Sequence, residues 1–292
     1  MVQENHVLCV STRHAVWEQE PAVAFITAPS NWHTELALEA ARQNCHLFIE
    51  KPLAHTTEGI DTLCAEVAQR ELCTMVGCNM RFHPGPATVK RLMEEGQIGP
   101  VVAARIQSGS YLPSWRPWQD YRQSYSASPV WGGAVLDCIH EIDLALWYFG
   151  AARVVGSALL PATSIGLETD GLAEILLAHT NGVLSNVHLN ILQRDYRRTC
   201  QVIGREGTIS WDFAEGVVSL YGSDGNLDET VAQPEGWEFN QVYIDEVVHF
   251  FQAIQHHTPT MNPLEGGLAA LEIALSVRQQ KPVSQQGKRG ES

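Results

Sequence analysis

Two groups of side chains in this sequence have the types and spacing needed for proton transfer. The first is Glu50-Lys51-Pro52, where Lys51 follows the apolar run Leu47-Phe48-Ile49, so that a buried strand ends on it and the proline stops the strand. A lysine there can bind or donate to a substrate oxygen, and burial can lower its pKa toward the range of proton transfer. The plain alternative is a solvated lysine at a strand end. The second group runs from Gly132-Gly133 to Asp143 and holds Asp137, His140 and Asp143 at spacings of three, which puts them near one face of a helix. A histidine flanked by carboxylates can keep a defined tautomer and trade protons near neutral pH. Its alternative is a histidine that caps or packs a helix start. Metal binding competes as a chemistry, but His140-Glu141-Ile142-Asp143 lacks the second histidine of H-E-x-x-H and no other ligand cluster stands out, so no metal is expected.

These residues need elements to hold them. Residues 21–29 form a short apolar run ended by a proline, and residues 31–45 then show helical spacing in Leu36, Ala40 and Ala41. Residues 46–50 read as a second buried strand. Residues 56–71 read as a helix with Thr57 as a candidate cap and Ile60, Leu63, Cys64 and Val67 as its apolar stripe, and residues 73–79 as a third strand. Strand, helix, strand, helix, strand with short connections predicts a parallel sheet with right-handed crossovers.

A boundary near residues 81–86 divides the chain. Residues 1–84 are expected to form an incomplete Rossmann-type parallel sheet of the α/β class. Residues 85–292 are expected to form an α+β domain with a large, mostly antiparallel open sheet. That second part is predicted to contain a helix over 86–95, a strand over 101–110, an aromatic loop over 111–131 and a helix over 136–149 stopped by Gly150. Strands follow as far as Tyr221, with Asn181-Gly182 as a hairpin turn, and two closing helices span 241–255 and 264–279. In the run 172–179, Leu172 and Leu176 point to one side, Ile175 and Leu177 to the other, so both faces want burial and a homo-oligomer is expected.

Composition narrows the partners. The 292 residues are 45% hydrophobic and 18% charged, an ordinary globular balance. The 33 acidic against 19 basic residues, a formal charge of -14, argue against nucleic acid as a partner. Arg194, Arg197 and Arg198 form a local cluster that could hold one phosphate, or could simply be a solvated strand end. The 7 cysteines are scattered without a C-x-x-C pair, which points to reduced thiols and a cytoplasmic protein. No basic-then-apolar leader and no run of roughly 20 apolar residues appear, so no membrane contact is expected. Residues 284–292 read as disordered, and residues 7–10 as a leftover strand.

Together these residues resemble the glucose-fructose oxidoreductase, inositol dehydrogenase and rhizopine catabolism (Gfo/Idh/MocA) family. The resemblance rests on Ile26-Thr27-Ala28-Pro29 with His33, Glu50-Lys51-Pro52-Leu53-Ala54, Gly77-Cys78-Asn79-Met80-Arg81-Phe82-His83-Pro84, the segment carrying Asp137, His140 and Asp143, and Ile203-Gly204-Arg205-Glu206-Gly207-Thr208-Ile209. It implies an NAD or NADP cofactor contacted by Ala28, Pro29, Asn31, His33, Glu50, Lys51, Asn79 and Arg81. It also implies that Lys51 and His140 carry the proton while the cofactor takes the hydride, with Asp137 as the orienting carboxylate. Two departures stand out. Asp137 precedes His140 by three residues, where much of the family has four. No glycine occurs before Gly59, so the G-x-G-x-x-G turn of a dinucleotide fold is missing. A truncated or misassigned start, or a partner chain supplying the absent half, is expected rather than a complete solitary enzyme.

The loop from Tyr111 to Arg122 is rich in aromatic and charged residues. Flat rings stack on the apolar faces of pyranoses, while guanidinium and carboxylate groups bond hydroxyls, so Tyr111, Trp115, Arg116 and Tyr121, with Asp143, are candidate contacts for a sugar or polyol. The alternative is a loop that buries its rings against the sheet. The sequence thus favours an NAD(P)-dependent oxidoreductase acting on a secondary alcohol of a sugar, cyclitol or sugar derivative. Its rival is a non-catalytic homologue retained as a sugar-binding or oligomerisation module.

Overall fold

The computed structural model describes residues 8–280. Three short strands, β1 (Val23–Ile26), β2 (His46–Glu50) and β3 (Thr74–Gly77), form a parallel sheet in that order, with Phe25 level with Phe48 and Phe48 level with Met75. The crossovers are α2 (His33–Arg42) and α3 (Ile60–Gln69), which bury Ala37, Ala40 and Ala41 and Ile60, Leu63 and Val67 against one face. The second helix starts later than the sequence suggested. Gly59, at φ +78°, turns the chain into α3 and the Thr57 side chain caps nothing. Residues 8–10 form no strand and are exposed, and Val7 and residues 284–292 lie outside the described residues. A helix not foreseen, α1 (Arg13–Trp17), follows instead. The Thr12 hydroxyl caps it, and Trp17 Nε1 donates to Glu39 of α2 at 2.6 Å.

The other face of this sheet is covered by the end of the chain. Phe250 of α7 (Gln241–His256) packs at 5.9 Å on Phe25 and 5.7 Å on Phe48, and α8 (Leu264–Arg278) runs so close that a side chain at Gly267 would strike Val76. The link between α7 and α8 seals the outer edge of β3. Val76 N donates to Asn262 O at 2.8 Å, Asn262 Nδ2 returns a bond to Val76 O at 3.1 Å, and Thr260 Oγ1 donates to Thr74 O at 2.6 Å. The opposite edge, on β1, pairs with no strand among the described residues, and a cavity of about 520 Å³ lies along it beside Trp17, Val23 and Phe25.

After α4 (Pro84–Glu94), eight strands make the second sheet. They are β4 (Val101–Tyr111), β5 (Ala152–Pro161), β6 (Asp170–His179), β7 (Leu184–Asn190), β8 (Leu192–Gly204), β9 (Thr208–Asp212), β10 (Val217–Tyr221) and β11 (Leu227–Ala232). Their order is β11-β10-β9-β8-β4-β7-β6-β5, antiparallel throughout except for the parallel pair β4 and β7. Strand β11 is exposed and acidic, with none of the apolar alternation that would reveal it. The Asn181-Gly182 hairpin lies between β6 and β7, with Gly182 at φ +90°.

One face of the large sheet, with Ile106, Ile175, Val187 and Val202 fully or nearly buried, packs against the helices. The opposite face differs from the expectation that it is apolar. Around the exposed Leu176 and Leu184 it carries Arg105, Gln107, Glu174, Asn186, His188 and Gln201, which the cross-strand register places side by side.

The helix expected over 136–149 is broken in two, α5 (Ala134–Asp137) and α6 (His140–Phe149), with Cys138 outside helical geometry at ψ 30°. Asp137 and His140 therefore sit on separate helices rather than on one face. Among the described residues no helix is long and apolar enough to cross a membrane.

Candidate active site

Strand β2 delivers Lys51 to the carboxyl end of the parallel sheet, where open α/β sheets bind ligands. Its ammonium donates to the backbone carbonyl of Asp137 at 2.8 Å, a carbonyl available there because the helix breaks at the next residue. An ammonium has three donors, so two remain for a ligand. Burial pushes the Lys51 pKa down, but Tyr125, Asp137, Cys138 and Glu50 push it up and the balance is upward. The ammonium therefore stays charged at neutral pH. This reverses the expectation of a lysine whose pKa is lowered by burial. Glu50 has its own pKa raised by burial and lies over Gly77 of β3, where a Cβ would stand 3.3 Å from its Oε2.

His140 opens α6 with its ring buried and Nδ1 without a hydrogen-bond partner. Burial holds its pKa well below the ordinary histidine value, and the positive charges of Lys51 and Arg198 act in the same direction. The imidazole is neutral at physiological pH and the ammonium is charged. Asp137 makes no hydrogen bond to His140. Its carboxyl group, raised by burial and lowered by Lys51, faces the lysine, and its Oδ2 has no partner. The spacing of three puts it at the end of α5, which is why the structure does not join it to the imidazole.

Two further ionic pairs stand behind these groups. Glu141, fully buried, meets Arg198 Nε at 2.7 Å, and Arg198 also reaches Met80 Sδ at 3.1 Å. The proposed arginine cluster therefore splits. Arg198 is interior, Arg197 pairs with Asp195 at 3.2 Å, and Arg194 lies 4.2 Å over the Tyr111 ring. Arg81 and Asp143, read as a cofactor contact and a substrate contact, bind each other instead. Nε donates to Oδ2 at 2.8 Å and Nη2 to Oδ1 at 2.6 Å, with side-chain exposures of 7% and 1%. Arg81 Nη1 also donates to the carbonyl of Met261. Asn79 is buried in the turn beside them.

Ala28, Pro29, His33, Glu50 and Lys51 line one cavity of about 260 Å³, together with Tyr125. His33 acts within it as a strut. Its Nε2 lies 2.7 Å from Ala28 O and its Nδ1 3.0 Å from Pro52 O, which ties the ends of β1 and β2 together. Asn31 lines a second cavity of about 540 Å³, which shares Pro29 and Tyr125 with the first. Of the aromatic-loop candidates, Trp115 donates to Ser110 Oγ at 3.0 Å and Tyr121 to Ile165 O at 2.9 Å, and both pack on the core. Arg116 lies 5.3 Å over Tyr125. Tyr111, Trp115, Arg116 and Tyr121 line neither cavity, whereas Trp32, Tyr125 and Trp131, which were not singled out, line the larger one. Among the described residues no group of three or more His, Cys, Asp or Glu could hold a metal ion.

The smaller cavity suits the nicotinamide end of a dinucleotide, because it opens at the carboxyl ends of parallel strands and is lined at β1 by small residues. No glycine precedes Gly59, so this sequence offers no glycine-rich cradle for the pyrophosphate.

Comparison with known proteins gives matches over most of the chain. Residues 2–78 match the oxidoreductase family with an NAD-binding Rossmann fold, and residues 87–210 match the GFO/IDH/MocA C-terminal domain. A levoglucosan dehydrogenase of Pseudarthrobacter phenanthrenivorans is 28% identical over 218 residues, 65% of this chain and 55% of that protein. A myo-inositol 2-dehydrogenase of Thermotoga maritima is 26% identical over 87% of this chain and 75% of its own length. The chain thus spans between about half and three quarters of these relatives. In structure, a levoglucosan dehydrogenase in complex with NADH and levoglucosan superposes with a TM-score of 0.79 at 22% identity, covering 88% of this chain and 76% of that one.

Proposed function

The chain belongs to the Gfo/Idh/MocA oxidoreductase family, and from that premise we propose that it moves a hydride between NAD and a secondary alcohol of a sugar, cyclitol or sugar derivative. The observation that carries the reading is that Lys51, at the end of β2, lines the cavity with Ala28, Pro29 and Glu50 and donates to the carbonyl of Asp137, three residues before His140. Relatives named as levoglucosan, inositol and UDP-N-acetylglucosamine dehydrogenases support the substrate class.

In this reading Ala28, Pro29, Ser30 and Glu50 hold the nicotinamide end of the cofactor, which when bound takes up or returns the hydride. His140, neutral, accepts the proton of the substrate hydroxyl. Lys51 donates to the same oxygen and stabilises the charge that grows on it as the C–H bond breaks. The Asp137 carbonyl aims the ammonium, and the Asp137 carboxyl group, with Glu50, keeps it charged. In the reverse direction His140 returns the proton to the carbonyl oxygen. The 7 unpaired cysteines support a reducing, cytoplasmic setting. The exposed Leu176 and Leu184 on the free face of the large sheet support a homo-oligomer, which sedimentation would reveal.

Calorimetric titration with NADH, followed by turnover of inositols and anhydro-sugars, tests the reading. Lys51→Ala and His140→Ala are each expected to lower kcat by about 10²- to 10⁴-fold without shifting the unfolding midpoint. Wild-type rates in both variants would overturn the assignment. Sugar binding with no turnover in the native assembly would return the chain to the class of binding modules.

A further inference from the structure

Beside the cavity of Lys51 lies the larger one of about 540 Å³, and its lining has a composition of its own. Trp32, Tyr125 and Trp131 contribute three rings, while Asn31, Arg122, Gln123, Ser124 and Ser128 contribute hydrogen-bonding groups. Trp32 is 44% exposed and Tyr125 40%, so neither ring is consumed by the core. Arg13 lies over Trp32 at 5.9 Å and Arg116 over Tyr125 at 5.3 Å, each covering one face of its ring. The edge of His55 meets Trp131 at 6.3 Å. The catalytic cavity, at about 260 Å³, is below the usual range of a whole small-molecule site, roughly 300–1,000 Å³, and the proposed function already assigns part of it to a nicotinamide ring. The larger cavity shares Pro29 and Tyr125 with the smaller one, as the cavity along β1 shares Thr27 and Ala28 with it, so a substrate held at Lys51 has this space beside it.

Rings set among amide, hydroxyl and guanidinium groups match the two sides of a pyranose, apolar on its C–H face and polar around its rim. We propose that the substrate is a glycoside with two sugar rings, one oxidised at Lys51 and His140 and the other held between Trp32, Tyr125 and Trp131. This rests on the sugar-oxidoreductase reading and narrows it to substrates larger than a free monosaccharide. The second ring supplies binding energy remote from the reacting carbon.

The test is binding of matched pairs, glucose with cellobiose and galactose with lactose, to the full chain at saturating NADH, read by calorimetry and by tryptophan fluorescence. Binding of NADH alone is the control. A stacked ring is worth about 2- to 12-fold in affinity, so the disaccharide is expected to bind at least tenfold tighter than its monosaccharide. Trp131→Ala and Trp32→Ala are expected to shrink that margin by about 2- to 12-fold each, and Trp131→Phe is expected to restore it. An unchanged unfolding midpoint and NADH constant show that the variants are folded. Equal affinities within each pair, untouched by the tryptophan variants, would overturn the subsite and leave the sugar reading intact. Failure of every sugar to bind a chain that binds NADH would overturn the sugar reading itself. Tighter binding of p-nitrophenyl glucoside than of cellobiose, lost in Trp131→Ala, would replace the second sugar ring with an aromatic aglycone and overturn the proposal in that form.

Discussion

Replacing Arg81 with methionine separates a structural role from a ligand-binding one. The guanidinium makes two parallel bonds to Asp143 at 2.8 and 2.6 Å, with the pair exposed by only 7% and 1%, and it donates to the carbonyl of Met261 next to the segment that seals β3. Arg81→Met would leave the Asp143 carboxylate buried with no counter-charge, a defect that costs about 3–5 kcal/mol. For a chain of this size that corresponds to a fall in Tm of about 6–20 °C, at roughly 2–4 °C per kcal/mol. Arg81→Met combined with Asp143→Leu removes both charges and is expected to recover most of the loss, because two apolar side chains of similar volume fill the site without stranding an ion. Urea unfolding at pH 7 gives the stabilities, and titration with NADH gives the ligand constant for the same samples. Loss of less than 1 kcal/mol in the single variant, or a double variant no better than the single one, would refute the structural assignment. So would a normal midpoint combined with abolished NADH affinity, which would restore Arg81 to the cofactor site.

The remaining predictions concern groups whose environment is equally specific. Glu246 of α7, buried beside Glu50 and Asp143, has its pKa raised by burial first and by those carboxylates second, to about 9 from 4.5. The folded state therefore keeps a proton that the unfolded chain releases, and stability falls as pH rises across that window at up to about 1.4 kcal/mol per pH unit. Glu246→Gln should flatten this slope in urea unfolding measured from pH 5 to 9. His83 is pushed down to about 4 by burial and by Arg198. Its folded form stays neutral where the unfolded chain binds a proton, so stability is lost as pH falls from about 6.5 to 4; His83 Nδ1 caps α4 by accepting from Gly85 N at 3.1 Å, and His83→Asn should weaken the acid dependence while keeping that cap. Gly85 leaves room for Trp211, whose Nε1 would lie 2.0 Å from an added Cβ. Gly85→Ala is expected to cost about 1–3 kcal/mol in thermal unfolding.

Much of this architecture was legible because the relevant signals are local. The runs around Ile26, Ile49 and Val76 are short, apolar and bounded by turns, and they became β1, β2 and β3. Asn181-Gly182 specified its hairpin through Gly182, whose φ of +90° a glycine adopts freely. Lys51 and His140 stood out by type and position and were paired through the family resemblance, and the structure brings the Lys51 ammonium to the carbonyl of Asp137 at the helix break. What stayed hidden depends on contacts made across the chain. Nothing in the spacing of Asp137 and His140 announces that the helix breaks at Cys138. Arg81 and Asp143, 62 positions apart, were read as a cofactor contact and a substrate contact, and the pairing of their buried charges is not written in either neighbourhood. Trp115 and Tyr121 promised a sugar platform and turned inward, while Trp32 and Tyr125 stayed partly exposed, a distinction set by how the loop folds rather than by its composition. Strand β11 lacks periodicity because neither of its faces is buried.

The bond from Lys51 to the carbonyl of Asp137 gives the site an uncommon latitude. A peptide oxygen is present whatever side chain the residue bears, so the lysine keeps its aim when position 137 changes. The side chain at 137 is left to set charge near the ammonium without also having to locate it. A substitution at position 137 is therefore expected to change the proton affinity of the lysine while the bond to the peptide oxygen stays in place. A tuning dial for the chemistry is separated from the anchor that makes the chemistry possible.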